Sequence, residues 1–208
     1  MHLPMSLESV VHAPRTLLAC AAAMLLALPG YAQWSLDNDR SQLNFISIKA
    51  GNIAESHTFT QLSGDIADSG TVKVAIALLS VDTKIPIRDE RMKEFLFESN
   101  IFPTATITAN IAPQRLAGLQ PGETTRENVN GTLAIKDRSI DMSAEITASR
   151  TTEHTLVVAT SQPILVNSAA LGLGAGVEKL RELAGLPSIS QAVPVTFVLT
   201  FHEIENTK

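Results

Sequence analysis

Between Asp82 and Arg91 the chain gathers a dense cluster of ionisable side chains: Asp82, Arg88, Asp89 and Glu90, with Arg91 next to them. Side chains of these types at this spacing have two uses. They cap a helix and pair along its surface, which is worth little in water. Alternatively Arg88 or Arg91 stands at the mouth of a cavity and meets an anionic head group through charge-assisted hydrogen bonds. Other chemistry is harder to build. Beyond residue 33 the histidines are His57, His154 and His202, scattered singly and without ligand spacing, so no metal site is expected. The sequence holds no G-x-S-x-G elbow, no H-E-x-x-H and no P-loop. Gly172-Leu173-Gly174-Ala175-Gly176 lacks dinucleotide-binding spacing and reads as a flexible helix start. No catalytic residue and no cofactor is assigned on these grounds.

The elements that position the charged cluster are strands. Val72, Val74, Ile76 and Leu78 alternate with Lys73, Ala75 and Ala77. The same period of two runs through Ala105–Ile111, Val129–Ile135, Ile140–Ile146 and Val193–Phe201. Strict alternation marks half-buried antiparallel strands. Leu43–Ala50, Thr58–Ile66 and Thr155–Val166 are less regular but rich in β-branched residues, giving about eight strands in all. Turn signals fall at Asn38-Asp39, Asp68-Ser69-Gly70, Pro121-Gly122 and Lys136-Asp137-Arg138. Gly131 lies inside its alternating run and reads as a strand glycine at a bend. Two segments break the period and predict helices. Ile87–Phe97 carries the charged cluster, with Pro86 placed to open the first turn. Ala169–Ala184 has an apolar stripe of Leu173, Val177, Leu180 and Ala184 opposite Glu178, Lys179, Arg181 and Glu182, and Gly185 and Pro187 stop it.

The start of the chain reads as an address. A polar lead ending at Arg15 precedes a continuous apolar run, Leu17–Leu28, and then small residues up to Ala32. These are the parts of a secretory signal cleaved after residue 32, and the run is too short for the ~20 residues of a membrane span. The expectation is a leader over 1–32, a single domain over 33–208 and a periplasmic location. Cys20, the only cysteine, would leave with the leader, so the domain must hold itself together by burial rather than by disulfides. With 16 Lys+Arg against 21 Asp+Glu and no basic run, nucleic acid is not an expected partner.

About eight antiparallel strands with one apolar face close into a barrel or form a sandwich, and closure removes exposed edges. A barrel of that size is just wide enough to be filled by side chains or to hold one slender ligand. The alternating faces carry no charged residue, and several of their members are small (Ala105, Ala109, Gly131, Ala144). A ligand held there would be apolar along most of its length, because an unpaired polar group costs on the order of 1–3 kcal/mol to bury. Each buried CH₂ contributes about 0.8 kcal/mol, so a long lipid is favoured over a compact polar metabolite.

Ser80-Val81-Asp82-Thr83, Arg88-Asp89-Glu90-Arg91-Met92, Phe97-Glu98 and Phe102-Pro103 follow one another in an order and spacing that resemble the YceI-like family of periplasmic polyisoprenoid-binding proteins. The pattern there is S-[IV]-D-T, R-D-x-H-L, F-F-D and [FY]-P; here Arg91 replaces the usual His, and Leu96-Phe97-Glu98 the usual Phe-Phe-Asp. Trp34, Asp37, Ser41–Phe45, Gly131-Thr132-Leu133 and Val193–Phe197 extend the likeness over nearly the whole chain beyond the leader. The G-x-F of the family's second strand is not clear around His57-Thr58-Phe59.

The resemblance implies an all-β, lipocalin-like, eight-stranded antiparallel up-and-down barrel with short helical insertions. It implies a carrier rather than an enzyme, binding a long-chain isoprenoid lipid or a quinone tail. The expected tunnel lining is Val72, Val74, Ile76, Leu78, Leu133, Ile135, Met142, Ala144, Ile146, Phe197, Leu199 and Phe201, with Phe95, Phe97 and Phe102 closing one end and Arg88 and Arg91 as head-group candidates. An inner-membrane redox protein is an expected partner, and the oligomeric state, a homodimer included, stays open. The competing expectation is a fully packed barrel that serves as an envelope interaction module, with the helix Ala169–Ala184 as its docking face. An enzymatic reading has no constellation behind it.

Overall fold

The structure is a computed structural model that describes residues 32–204. The expected leader, up to residue 31, lies outside the described residues. Eleven strands follow in order: β1 (Ala32–Lys49), β2 (Ile53–Phe59), β3 (Leu62–Ala67), β4 (Thr71–Ala77), β5 (Val81–Asp82), β6 (Thr104–Asn110), β7 (Thr124–Ile135), β8 (Arg138–Thr152), β9 (Thr155–Thr160), β10 (Ile164–Asn167) and β11 (Ala192–Glu203). Between β5 and β6 come α1 (Pro86–Arg91) and a continuing π-helical turn, Met92–Phe97; α2 (Pro113–Gly118) precedes β7, and α3 (Gly174–Leu183) precedes β11.

Eight of these strands close an antiparallel barrel in the order β1-β3-β4-β6-β7-β8-β9-β11, with β11 pairing back onto β1. The other three flare one end. β1 is long enough to pair with β3 through Ala32–Ser35 and with β2 through Leu43–Lys49. β11 does the same on its other edge, with β9 through Val198–His202 and with β10 through Ala192–Val195. Two strands thus switch partners half-way and splay the sheet around a wider mouth.

This switch accounts for the irregular runs in the sequence. Thr58–Ile66 is two strands broken at Thr60-Gln61, where the chain steps from the flare into the ring. Thr155–Val166 is likewise two, broken before Pro163, which has no N–H to donate to a ladder. Asn38-Asp39, expected as a turn, is instead an irregularity within β1 between Asp37 and Gln42. Two of its freed backbone N–H groups are satisfied locally, Asp39 and Arg40 donating to the Asp37 carboxylate, while the Asn38 side-chain Oδ1 accepts from the Leu62 N–H at 2.7 Å. Such bulges bend a strand and increase its twist.

Gly131 sits inside β7, where a Cβ would stand 2.6 Å from the Thr108 carbonyl oxygen, so its lack of a side chain lets β7 approach β6. Lys136-Asp137 joins β7 to β8 as a two-residue hairpin, with Lys136 at φ 55°. Helix α2 had no counterpart among the expected elements; Pro113 at its first turn is the signal that marks it.

The core is continuous but unevenly filled. At the narrow end Trp34, Ile66, Val74, Ile146, Leu156, Leu199 and Phe201 are buried, and Leu119 after α2 packs in beneath them. Phe201 and Ile66 are each 1% exposed. The Arg150 guanidinium lies 5.4 Å over the Trp34 ring and donates to the Leu119 carbonyl, fastening this end. At the flared end Leu133, Met142, Val195 and Phe197 also belong to the inward-facing core yet are only partly buried, because the barrel is hollow there.

Candidate functional site

The hollow is a cavity of about 350 Å³ beneath α1, the π-helical turn and α3, within the range of about 300–1,000 Å³ usual for small-ligand sites. Its floor is Ile76, Leu78, Ala105, Ile107, Leu133, Ile135, Met142 and Phe197. Its roof is the apolar stripe of α3 and the segment before it (Leu171, Leu173, Val177, Leu180, Ala184), with Met92, Leu96 and Phe97 from the π-helical turn. The stripe that would have made α3 a docking face is therefore turned inward. The filled-barrel expectation also fails, because the flared half leaves space that no side chain occupies.

Roof and helix meet through a glycine. A Cβ on Gly176 would stand 2.6 Å from the Phe95 carbonyl oxygen and 2.8 Å from the Leu96 Cα. The glycine-rich 172–176 segment is thus more than a flexible helix start: Gly176 sets how closely α3 approaches the π-helical turn.

Several expected lining residues lie elsewhere. Ile76, Leu78, Leu133, Ile135, Met142, Phe97 and Phe197 do line the cavity. Val72, Val74, Ala144, Ile146, Leu199 and Phe201 belong to the narrow half, where side chains from opposite strands fill the barrel, so the cavity stops short of them. The sequence periodicity marks the inward face along a strand's whole length but not where along it the space is. Phe95 lies under the Lys179 ammonium and Phe102 under that of Lys136, at 6.0 and 5.9 Å, and neither borders the cavity.

The polar part of the site is carried by β1 and β2. Along β1 the inward residues are Leu43, Phe45, Ser47 and Lys49; along the paired β2 they are Phe59, His57 and Glu55. Both strands run from apolar to charged as they approach the mouth. The alternating runs bring no charged residue to the cavity; Lys49 and Glu55 come from the irregular run of β1 and from β2, for which the sequence assigned no inner face. The period of two across Leu43–Lys49 contained this signal; the apolar-to-polar gradient obscured it. Phe45, His57, Phe59 and Phe97 form a contiguous aromatic wall, with ring centroids 5.2 to 5.7 Å apart.

At the mouth Glu55 accepts from both Lys49, at 2.8 Å, and Arg88, at 2.6 Å. The Lys49 contact and the Arg88 guanidinium hold its carboxyl below the usual glutamate range against the opposing effect of burial. Arg88 also donates to the Thr83 carbonyl at 2.7 Å, and Asp89 accepts from the Thr83 N–H at 2.8 Å. The charged cluster of the sequence is thus divided. Asp89 ties α1 to β5, whereas Arg88 crosses to β2 instead of pairing along its own helix. Arg88 and Arg91 both border the cavity, and Arg91 donates to the Leu183 carbonyl at 3.3 Å, linking α1 to α3.

His57 is 3% exposed. Its Nε2 lies 2.8 Å from the Ser47 Oγ. Burial, and then the nearby Arg88 charge, push its pKa below the ordinary histidine value, so the ring is neutral at neutral pH. The other two histidines are apart from it: His154 pairs with Glu203, and His202 with Asp37. The His202 hydrogen bond is the main cause of the depressed Asp37 pKa.

Comparison with known proteins finds the same domain elsewhere. A family model described as a YceI-like domain matches residues 34–201. Among solved structures, a polyisoprenoid binding domain from Saccharophagus degradans, implicated in plant cell wall breakdown, is 36% identical. The match covers 84% of this chain and all of that one, with a TM-score of 0.81. Burkholderia cenocepacia BcnA is 19% identical over 79% of this chain and 98% of its own, with a TM-score of 0.62. A Campylobacter jejuni YCEI protein is 14% identical over 72% and 85%, with a TM-score of 0.52. The last two share the fold. A search of curated protein sequences finds no match.

Proposed function

The chain belongs to the YceI-like family, and from that premise we propose that it is an exported binding protein that carries a long isoprenoid lipid, tail inward, in the flared end of its barrel. The observation that carries this reading is the gradient on β1 and β2, from Leu43 and Phe59 at the floor to Lys49 and Glu55 at the mouth, over a cavity that is otherwise almost wholly apolar. That is the shape of an amphiphile. Burial of the tail supplies the affinity at about 0.8 kcal/mol per CH₂, and the rim leaves the polar end near water. The polyisoprenoid-binding domain at 36% identity supports the same ligand class.

In this reading the leader 1–32 is removed on export and the domain works in the periplasm without disulfides. Its role is binding rather than catalysis, and a membrane redox protein using a prenyl-tailed molecule is the partner that would deliver or receive the lipid. The test is native mass spectrometry of the protein purified from a periplasmic fraction without detergent, with its organic extract analysed in parallel. A discrete added mass that extracts as an isoprenoid lipid is the expected result. A bare polypeptide that takes up neither quinone nor polyprenol would overturn the carrier reading.

A further inference from the structure

The mouth of the cavity is ringed by apolar side chains that face water. Ile85 and Ile87 both line the cavity and are exposed, so they stand where it opens. Ile53 continues the inner face of β2 outward from Glu55 and pairs with Lys49, and Leu183 ends α3 beside Ala184, which lines the cavity. These four are between 37% and 60% exposed, and they are four of the nine exposed large apolar side chains among the described residues. Scattered exposed apolar residues are ordinary, but a group gathered round one opening marks an interaction site. Hydrogen bonds bring the elements that carry them together. Arg88 on α1 reaches Glu55 on β2 at 2.6 Å, and Arg91 at the end of α1 donates to the Leu183 carbonyl at the end of α3. Ala50 donates to the Ser188 carbonyl at 2.9 Å and Ser190 to that of Ile48 at 2.8 Å, so the chain after α3 is tied to the β1–β2 hairpin. Hairpin, α1 and α3 thus form a closed circuit around the mouth.

Resting on the carrier reading, we propose that this rim is a membrane-docking surface: Ile53, Ile85, Ile87 and Leu183 enter the hydrocarbon edge of a bilayer, and the lipid passes between bilayer and cavity there. Continuity selects a bilayer as the partner. Ile85 and Ile87 belong both to the rim and to the apolar lining, so with the rim inserted the tail moves from hydrocarbon to hydrocarbon and no CH₂ is wetted on the way. The charges select apolar insertion over attraction to an anionic surface. Lys49 and Arg88 share Glu55, Lys84 meets Asp82, Lys93 meets Glu90, and Asp89 is held by Thr83. Arg91 bonds only a carbonyl, but the whole chain is acidic, with 16 Lys+Arg against 21 Asp+Glu. The long stems of Lys84 and Arg91 lie at the level where cationic ends reach lipid phosphates while their methylenes cover apolar surface.

The test is flotation of the protein, purified from a periplasmic fraction, with vesicles of phosphatidylcholine alone or mixed with phosphatidylglycerol. The wild-type protein should float with phosphatidylcholine alone, and added salt should change this little. Ile53→Ser and Ile87→Ser should each lower partitioning about three- to tenfold. Ile204→Ser is the control: it removes an isoleucine 41% exposed at the narrow end, next to the pairing of Glu203 with Trp34, and should leave partitioning unchanged. A polarity-sensitive dye on Ile87→Cys should shift to the blue with vesicles, and the same dye on Ile204→Cys should not. No flotation, an equal loss in Ile204→Ser, or an unshifted dye at position 87 would overturn the docking surface. So would binding that requires phosphatidylglycerol and is lost in salt, which is the mark of a charged surface. A dimer that Ile87→Ser dissociates and vesicles do not compete away would assign the rim to a second copy instead. Protein that carries a lipid mass but does not float would overturn docking and leave the carrier reading standing. Protein that floats but takes up no lipid would overturn the carrier reading and the exchange route with it. The wild-type flotation series decides the matter even where a variant does not fold.

Discussion

Gly176 and Leu96 are in backbone contact: a methyl group added to the glycine would stand 2.8 Å from the Leu96 Cα. This one approach seats α3 against the π-helical turn and closes the roof of the cavity. Gly176→Ala must push the two apart or strain both, and overpacking of this kind costs about 1–3 kcal/mol. The expected result is a Tm lower by several degrees together with faster ligand exchange. Gly174→Ala is the control. Its nearest neighbour would be Ala169 at 3.6 Å, an ordinary contact, so its Tm should hold or rise slightly, by the helix preference for alanine.

The two halves of the barrel should respond differently to substitution. Met142 lines the cavity, whereas Phe201 is packed in the narrow end. Met142→Trp is expected to reduce lipid loading while leaving the far-UV spectrum intact. Phe201→Ala is expected to lose about 3–5 kcal/mol of stability, while material that remains folded still loads. Unchanged loading in Met142→Trp would place the ligand elsewhere.

Stability should fall as pH drops below 6.5, the ordinary histidine value. Burial lowers the pKa of His57 in the folded state, so between that lowered value and 6.5 the unfolded chain binds the extra proton, and acidification favours unfolding. Glu55, Asp37 and Asp82 are depressed from ordinary values of 4.5 and 3.8, so their contribution is lost only at lower pH. Urea denaturation at a series of pH values from 7 to 5 checks this. A His57→Gln variant should flatten the upper part of the curve; a slope equal to that of the wild-type protein would show that His57 is not its source.

Trp34 is the only tryptophan, is 3% exposed and lies at the narrow end under Arg150. Its fluorescence should shift to the red on unfolding but stay unchanged as lipid fills the other end. Arg150→Ala removes the cation–π contact and the hydrogen bonds to Leu119 and Glu153, with an expected cost on the order of 1–2 kcal/mol.

The closed barrel was legible in the sequence because Val72–Leu78, Val129–Ile135 and Ile140–Ile146 alternate without interruption, and a period of two leaves little choice of face. The flare was not. β2, β10 and the break in β1 depend on which neighbour a strand meets at each height, information that a single strand's pattern does not carry. The site was legible in part. Arg88 and Arg91 stood out by charge density, and the α3 stripe by its helical spacing. Ser47, Lys49, Glu55 and His57 did not, because each is an ordinary polar residue in an irregular run, and their common direction appears only once Ser47 pairs with Glu55 and Phe45 with His57. The same limit misplaced Ala144 and Leu199, whose face was read correctly and whose depth was not.

The partner switch of β1 and β11 separates two kinds of evolutionary freedom. The ring at the narrow end is closed by the lower halves of these strands around the buried Trp34, Ile66 and Phe201. The mouth is edged by β2 and β10, which hang from the upper halves and close no ring of their own. Insertions or deletions in those edge strands can therefore resize the opening without reopening the barrel. A scaffold divided in this way can change its cargo in small steps while its fold is held constant.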